Sequence, residues 1–527
     1  MGKIILKKTT YLLEGIDSPK LLLHSVIQLI FILFLRITGS FFSIVFILKS
    51  TIIILVKLVK LTFYGGVKEI GGNKILLQDK DTKIFLDFGM SFNKRGQFFE
   101  EFLTPRTSNG IGDFITMGLI PDIKGVYREG LLTHFGRKKE DPEINAVFLS
   151  HAHADHANYV SFLHRDIPIY CGETAKYILD AIEEQTQRSL ESEVCNFKKR
   201  PLFRCDYRKP PIQRVFHTFR TGDKIKVDSL EIEPIHVDHS VPGAYGFVIW
   251  TSDGPIVYTG DMRLHGAHSE MTEDFINRAK EVKPIAMITE GTRIDTPKTD
   301  ESEQKVYSTS KTEIIKNKEL SIVDFNFKDV DRFRTFYSIA NDTGKKMVIS
   351  FKHACYLDRY SLDKKLNVPS STGENIYLLK PKRMTGTYSD TDYSDKYIKE
   401  RLDQPNIVTA EDIALNPSQY MVVLNYWYFN ILIDLKPINS LYVHSLSEPF
   451  NEEMEVSYNR MKNWLDHFNI NSIQSHCSGH ICGYDLKNAI EEINPQKLFP
   501  IHTEHPGMFR KLNPKTKMIK EGKTYQL

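Results

Sequence analysis

The sequence predicts an α/β protein in which a second α/β domain is inserted into the first. In the first half of the chain, the mostly apolar run 144–149 has the length of a buried strand and ends directly in a polar cluster. In the second half, the apolar run 320–325 precedes apolar residues at helical spacing in 329–341, and the apolar run 346–349 follows. Strand, helix and strand in that order predict a βαβ unit with parallel pairing.

Other short apolar runs complete the predicted elements. We expect further strands at 60–66, 83–89, 255–261, 285–292, 421–424 and 441–443. The polar run 295–318 is typical of a linker, and Met461, Trp464, Leu465 and Phe468 indicate a helix over 454–468 that leads back to the first domain. The aromatic run Tyr426, Trp427 and Tyr428 is expected in the core of the insert. The predicted domains are a hydrophobic segment (1–59), the core in two parts (60–309 and 454–527) and the insert (310–453).

Composition narrows the protein class and the compartment. The 527 residues are enough for two domains with sizeable cores. The six cysteines include no CxxC pair, which favours a reducing, cytoplasmic location over a disulfide framework. The net charge is +3, but residues 1–60 hold eight Lys and Arg against two acidic residues. The rest of the chain is therefore near neutral, and bulk charge does not indicate nucleic-acid binding. A local basic patch, 198–204 with Arg208 and Lys209, is either a solvated loop or a substrate-facing one.

The first 59 residues leave three interpretations open. From 21 to 59 the chain is mostly Leu, Ile, Phe and Val, interrupted by Arg36, Lys49 and Lys57. The longest uninterrupted apolar stretch falls short of the roughly 20 residues that a spanning helix needs. The segment is a membrane anchor or hairpin, an interfacial helix with snorkelling lysines, or an extension outside the native protein. A secretory signal is disfavoured because no small-residue cleavage site follows the apolar run.

The most informative motif is a metal-ligand cluster directly after the predicted strand 144–149. His151, His153, Asp155 and His156 place four metal ligands within six positions. Imidazole and carboxylate groups suit Zn²⁺, and alternate positions can face one ion while the Asp-His pair faces a second. The alternative is a His-rich surface loop. The order of the ligands and the upstream strand favour a metal site.

More candidate residues follow at the ends of later predicted strands and in polar motifs. They are His239 in the loop 237–243, Asp261 at the end of 255–261, Glu290 near the end of 285–292, His480 in 476–480 and His502 in 499–504. His236 lies in an alternating segment and is predicted to be a packed residue beside the site rather than a ligand.

This combination of motifs resembles the β-CASP nucleases of the metallo-β-lactamase superfamily, and it is most similar to the ribonuclease J type in its short, archaeal-like form. The resemblance covers about residues 60–527. It implies a four-layer αββα metallo-β-lactamase core with an inserted α/β β-CASP domain. It also implies that Asp87, at the end of the strand 83–89, orients ligands rather than binding metal. A His at position 502 is associated with the RNA-processing branch.

The resemblance also implies a ligand set for two Zn²⁺ ions per chain. One ion would be held by His151, His153 and His239, and the other by Asp155, His156 and His502. Asp261 would bridge the two ions. The catalytic residues implied are Asp155, Asp261, Glu290 and His480. His480 would protonate the leaving oxygen or stabilise the scissile phosphate, and Glu290 would fix its tautomer.

The predicted function is that of a zinc-dependent ribonuclease. By resemblance, it would leave 5′-phosphate and 3′-hydroxyl ends, with 5′→3′ exonuclease action favoured over endonuclease action. The predicted partner is single-stranded RNA, and a homodimer and membrane association through 21–59 are left open. The alternatives are a β-CASP DNA nuclease or another hydrolase on this scaffold, and a non-catalytic scaffold subunit. The last is disfavoured because every ligand position is filled.

Overall fold

The computed structural model describes residues 59–100, 102–186, 189–200, 210–447 and 452–527. The predicted hydrophobic N-terminal segment therefore lies outside the described residues apart from Val59, and so does the basic patch from residue 201 to 209. Within the described ranges, every helix is too short or too polar to cross a membrane.

Strands and helices alternate along most of the described chain. The strands are β1 Val59–Gly65, β2 Lys74–Asp79, β3 Thr82–Phe88, β4 Ala146–Phe148, β5 Ile169–Gly172, β6 Asn196–Phe197, β7 Ile212–Gln213, β8 Phe216–Phe219, β9 Ile225–Val227, β10 Leu230–His236, β11 Tyr245–Thr251, β12 Gly254–Tyr258, β13 Ala286–Thr289, β14 Ser321–Asp324, β15 Lys346–Ser350, β16 Ile376–Leu379, β17 Ile407–Val408, β18 Tyr420–Val423, β19 Leu441–His444, β20 Asn471–Gln474, β21 Leu498–Pro500 and β22 Thr524–Gln526. The α-helices are Phe92–Gly96, Gly112–Thr116, Glu129–His134, Ala154–Ala157, Glu173–Gln185, Ser269–Val282, Glu303–Lys316, Val330–Thr343, Phe351–Tyr360, Lys396–Lys399, Ala410–Leu415, Leu432–Leu435, Glu452–His467, Gly483–Ile493 and Pro506–Leu512.

Two sheets form the centre of the core. One has the order β22-β1-β2-β3-β4-β5-β8 and the other the order β21-β13-β12-β11-β10-β9. Phe63, Phe148, Phe247 and Ile288 belong to one buried apolar cluster to which both sheets contribute. Separate apolar clusters join the other faces of the sheets to helices. This is the four-layer αββα arrangement that the resemblance predicts, and the predicted fold class is confirmed.

The parallel strands of the two core sheets bring the candidate residues together. β3, β4 and β5 run parallel to one another, as do β12, β13 and β21. Parallel strands present their carboxyl ends at the same edge of a sheet. Asp87, His151, Asp261, Glu290 and His502 each lie at or just after the carboxyl end of one of these strands.

The insert has its own seven-stranded sheet, in the order β17-β16-β15-β18-β14-β19-β20. Every pairing in this sheet is parallel. The predicted unit β14, helix Val330–Thr343, β15 is therefore parallel, but its two strands are not neighbours because β18 lies between them. The strand-helix-strand pattern predicted that β14 and β15 run parallel. It could not predict that β18, which comes later in the chain, lies between them.

Two segments differ from the sequence-based expectations. Residues 303–316, predicted as a linker, form a helix whose first turn is capped by the Ser302 side chain and which buries Val306, Ser310 and Ile314 at helical spacing. The small, widely spaced apolar residues made this stripe hard to recognise.

The predicted boundary at 453 remains a prediction, but β20 pairs with β19 and Met461 packs into the core of the insert. These contacts favour an insert that extends to residue 474.

Candidate metal centre

Three histidine rings converge at the first candidate metal position. The His151 Nε2 and His153 Nδ1 atoms are 3.0 Å apart, and His239 Nε2 is 3.2 Å from the same His153 nitrogen. His151 and His153 flank the turn between β4 and the helix Ala154–Ala157, whereas His239 comes from the loop after β10. Three ring nitrogens this close cannot all carry protons, because N–H groups pointing at one another would repel.

The protonation of these rings suits metal binding. Burial lowers the pKa of His151 and His239 well below the usual histidine value. Burial, with Lys328 nearby, lowers the pKa of His153 to about 3. The His239 Nδ1–H donates to the Gly479 carbonyl at 2.6 Å, which leaves its Nε2 lone pair facing the cluster. Neutral imidazole is the form that coordinates metal ions, so the three rings are prepared as ligands.

A second group of ligands lies beside the first. His502 Nε2 is 3.2 Å from Asp155 Oδ2, and His156 Nε2 is 3.8 Å from the same oxygen. The His502 Nδ1 atom is 2.8 Å from the Thr292 hydroxyl, so its Nε2 is the atom directed at Asp155. Within each of the two groups, the ligand atoms lie within 4.8 Å of one another. The first group is His151, His153 and His239, and the second is Asp155, His156 and His502.

Asp261 lies between the two groups. Its Oδ2 is 3.1 Å from His156 Nε2, 3.5 Å from His502 Nε2 and 3.7 Å from His151 Nε2. Burial raises the pKa of Asp261, but His156 and His502 lower it more, and the pKa lies well below the usual range. The carboxylate is therefore charged although it is only 2% exposed. This is the position that a bridging ligand requires.

A buried carboxylate oxygen without a partner shows that the residues fit a metal. Asp261 Oδ1 is buried and has no hydrogen-bond partner among the described residues. An unpaired buried polar atom costs about 1–3 kcal/mol, more when it is charged. Such an atom in a cluster of carboxylates and imidazoles indicates that a cation completes the site. The fold implies a divalent metal, and this donor set is of the kind that binds Zn²⁺.

Asp87 accepts hydrogen bonds from a candidate ligand and from two neighbouring residues. Its Oδ2 accepts hydrogen bonds from His156 Nδ1 at 2.7 Å and from the Tyr258 hydroxyl at 2.5 Å, and its Oδ1 accepts from the Ser150 backbone N–H at 2.7 Å. The contact fixes the His156 tautomer so that Nε2 faces the cluster. A carboxylate behind a ligating histidine orients the ring and increases its basicity. The geometry agrees with the orienting role that the sequence analysis gave to Asp87.

His480 and Glu290 form a pair at the rim. The His480 Nδ1–H donates to Glu290 Oε2 at 3.0 Å, and the His480 side chain is 21% exposed. Burial lowers the pKa of His480, but Glu290 and Asp261 raise it more, to about 9. Glu290 also accepts from the Met262 backbone N–H at 3.0 Å. Glu290 therefore accepts hydrogen bonds from two protein groups, and its contact with His480 is the geometry that the role implied by the resemblance requires.

The structure adds residues that the sequence analysis did not select. Ser150 donates to Asp87 and lies 3.0 Å from His151 Nδ1, and Thr292 contacts both His480 and His502. Each is within two residues of a selected residue, so proximity to the motifs was the available signal. His236, expected to be packed, stacks on Tyr245 with ring centroids 4.6 Å apart.

Comparisons with known proteins agree with this architecture. A model of the beta-lactamase superfamily domain matches residues 121–282. Ribonuclease J of Mycoplasma genitalium is 22% identical over 482 residues, which cover 85% of this chain and 68% of that protein. Ribonuclease J of Pyrococcus abyssi is 24% identical over 246 residues, 45% of this chain and 46% of that protein. The crystal structure of a protein of unknown function from Enterococcus faecalis V583 covers 89% of this chain with a TM-score of 0.68 and 24% identity, which supports the fold.

The matched family model, the relatives that span most of the chain and the αββα core point to the same group. The chain therefore contains a metallo-β-lactamase superfamily domain and, over most of its length, is similar to ribonuclease J.

Proposed function

We propose that this protein is a metal-dependent ribonuclease that hydrolyses single-stranded RNA. The observation that carries the proposal is Asp261, a charged, buried carboxylate that lies within 4 Å of histidines from both ligand groups. The similarity to ribonuclease J of several organisms supports RNA as the substrate class.

We further propose that two Zn²⁺ ions occupy the centre, with His151, His153 and His239 holding one, and Asp155, His156 and His502 holding the other. Asp261 contributes to both. When bound, such ions lower the pKa of a water molecule and neutralise charge on a phosphate. The protein's own contribution is to keep the rings of His151, His153 and His239 neutral through burial. Hydrogen bonds to Asp87, Gly479 and Thr292 orient the rings of His156, His239 and His502. The carboxylates of Asp155 and Asp261 stay ionised.

His480 is proposed to act on the leaving group. Hydrolysis breaks the bond between phosphorus and the 3′-oxygen, and that oxygen needs a proton to leave as a hydroxyl. Glu290 holds the His480 Nδ1–H, so Nε2 is the atom available to a substrate at the exposed rim. Products with 5′-phosphate and 3′-hydroxyl ends follow from this assignment. Asp155 and Asp261 complete the proposed catalytic set.

A crevice in the insert supports a single-stranded substrate. It has a volume of about 1060 Å³ and follows the carboxyl ends of β14, β15, β18 and β19. Its wall includes Phe327, Lys328, His353, Tyr356, Trp427 and Tyr428. Crevices at the carboxyl ends of parallel strands are the usual ligand sites of open α/β sheets.

Trp427 and Tyr428 differ from the expectation that the aromatic run 426–428 lies in the core, whereas Tyr426 packs against the core of the insert as expected. Trp427 is 70% exposed and Tyr428 is 36% exposed, whereas the following Phe429 is buried and supplies the core contact. Lys352 lies over the Tyr428 ring at 5.8 Å. Exposed aromatic faces beside cations bind single strands by base stacking and phosphate contact. Lys328, which also lies close enough to Asp155 for their charges to interact, connects this crevice to the metal centre.

The proposal is tested with RNA labelled at either end and with matched DNA. We expect metal-dependent cleavage of the single-stranded RNA and loss of cleavage after chelation. Mononucleotides released from a 5′ label would support the 5′→3′ exonuclease action favoured by the resemblance, and internal fragments would support endonuclease action. Cleavage that survives exhaustive metal removal would contradict the proposal. Preferential cleavage of DNA would favour the alternative of a β-CASP DNA nuclease.

A further inference from the structure

A buried ionic network lies between the insert and the loops that carry the metal ligands. Its centre is Arg263, a fully buried side chain two residues after Asp261. The Arg263 Nε donates to Asp238 Oδ1 at 2.8 Å, and its Nη2 donates to Asp331 Oδ2 at 3.0 Å. Asp238 directly precedes His239, whereas Asp331 belongs to the insert helix Val330–Thr343. One guanidinium therefore joins two ligand loops of the core to one helix of the insert.

The backbone reinforces this connection on the core side. The Arg263 N–H donates to the Asp238 carbonyl at 2.8 Å, and the Asp238 N–H donates to the Thr272 hydroxyl at 2.9 Å. A Cβ added at Gly266 would lie 2.2 Å from both Arg263 Nε and Asp238 Oδ2, so the chain passes as close to the ion pair as a glycine allows. The segments before His239 and after Asp261 are thus held in one geometry.

The next residue of the same insert helix makes a second connection. Arg332 donates to Glu303 Oε1 at 2.7 Å and to the Cys477 carbonyl at 3.2 Å. Cys477 leads into Gly479, whose carbonyl accepts the hydrogen bond from His239 Nδ1 at 2.6 Å. Adjacent residues of a helix point about 100° apart, because a turn contains 3.6 residues. Asp331 and Arg332 therefore reach the surroundings of His239 by two separate routes, one through Arg263 and Asp238 and the other through the segment 477–479.

We propose that Arg263 is a positioning residue that couples the placement of the insert to the geometry of the metal centre, through Asp331 on the insert and Asp238 on the core. Arg suits this role because its planar group binds two carboxylates at once, which the single ammonium of Lys cannot reproduce. The inference rests on the proposed metal site, and it concerns the shape of that site before metal or RNA binds.

The decisive variant is Asp331→Asn, which keeps the side-chain shape on the insert and removes the charge that binds Arg263. Two quantities are measured: the affinity of the metal-free protein for Zn²⁺, by titration against a chelating dye, and backbone hydrogen exchange of residues 237–243 in the metal-free protein. We expect Zn²⁺ affinity to fall about 10–100-fold, the range for residues that orient metal ligands. We also expect faster exchange in 237–243, and a lower kcat with an unchanged KM on a small phosphodiester.

Arg334→Ala is the matched control. Arg334 binds the other oxygen of Asp331, Oδ1, at 2.9 Å from the partly exposed side, and it has no contact with Arg263. The control should leave Zn²⁺ affinity and exchange unchanged. If Asp331→Asn does not fold, Arg263→Lys takes its place. This variant retains the positive charge but loses the planar guanidinium that binds two carboxylates, and it should produce the same changes.

Unchanged Zn²⁺ affinity and exchange in the folded variant would overturn the inference, and so would equal effects of Asp331→Asn and Arg334→Ala. The exchange measurement needs neither metal nor RNA. It therefore separates a failure of this inference from a failure of the proposed ribonuclease activity.

Discussion

The metal centre of the core and the crevice of the insert occupy equivalent places, the carboxyl ends of parallel strands, but their surfaces are opposite. In the metal centre, polar side chains such as His151 and Asp261 are buried and converge on one another. In the crevice, the aromatic side chain of Trp427 is 70% exposed. The same arrangement of parallel strand ends thus holds a compact charged site where the two core sheets meet and a broad aromatic surface at the sheet of the insert.

Two buried carboxylates make the contrast quantitative. Burial raises the pKa of both Asp261 and Asp324, the last residue of β14. At Asp261 the neighbouring His156 and His502 outweigh burial and keep the carboxylate charged. At Asp324 a hydrogen bond from the Tyr442 hydroxyl opposes burial but does not outweigh it, and the pKa rises to about 7. The comparison shows that the neighbouring groups, and not burial alone, decide whether a carboxylate at a strand end stays ionised and can bind a metal.

The largest effect is expected from Asp261→Ala, which removes the carboxylate shared by both ligand groups. RNA cleavage should fall at least about a hundredfold, the loss typical when one group that stabilises developing charge is removed. Initial rates on labelled RNA measure this, and circular dichroism checks that the fold survives. Persistent hydrolysis by a folded variant would refute the two-metal assignment.

His480→Ala should have the next largest effect. Loss of a general acid typically costs about 10²–10⁴-fold in rate. Because His480 is proposed to act on the leaving oxygen, the Zn²⁺ content measured by elemental analysis should stay at the wild-type level. A loss of Zn²⁺ would instead make His480 a ligand.

Trp427→Ala should weaken RNA binding without changing the metal centre. Stacking of one base on an aromatic side chain is worth about 1–3 kcal/mol. We therefore expect an increase of roughly 5- to 150-fold in the dissociation constant for single-stranded RNA, measured in the presence of chelator so that no cleavage occurs. Leu415→Ala, another exposed apolar position of the insert at 77% exposure, is the matched control. Equal RNA affinity of the two variants would contradict the proposal that RNA binds in the crevice.

The smallest effect is expected from Asp324→Asn, and it concerns stability. The folded pKa of Asp324 lies above its unfolded value, so the folded state binds this proton more tightly. Its contribution to stability is present at low pH and is lost as pH rises from about 4 to about 7. The variant should therefore unfold at a higher temperature than the wild type at pH 8, and the difference should shrink or reverse at pH 5. Parallel melting curves across this range would contradict the assignment.

The sequence by itself indicated the candidate ligands because their chemistry is local. His151, His153, Asp155 and His156 fall within six positions after one strand, and short apolar runs mark the other strand ends. The order of the remote motifs, together with the resemblance, supplied His239, Asp261 and His502. Periodicity also found the helix of the βαβ unit in the insert.

Only the tertiary structure decided which distant side chains meet and which face solvent. Arg263 and Asp331 are 68 positions apart, and no local pattern pairs them. The exposure of Trp427 depends on Phe429 filling the core, and the place of β18 between β14 and β15 depends on a later return of the chain. Hydrophobic periodicity records how each segment is buried, but pairing partners are fixed only when separate segments pack against one another.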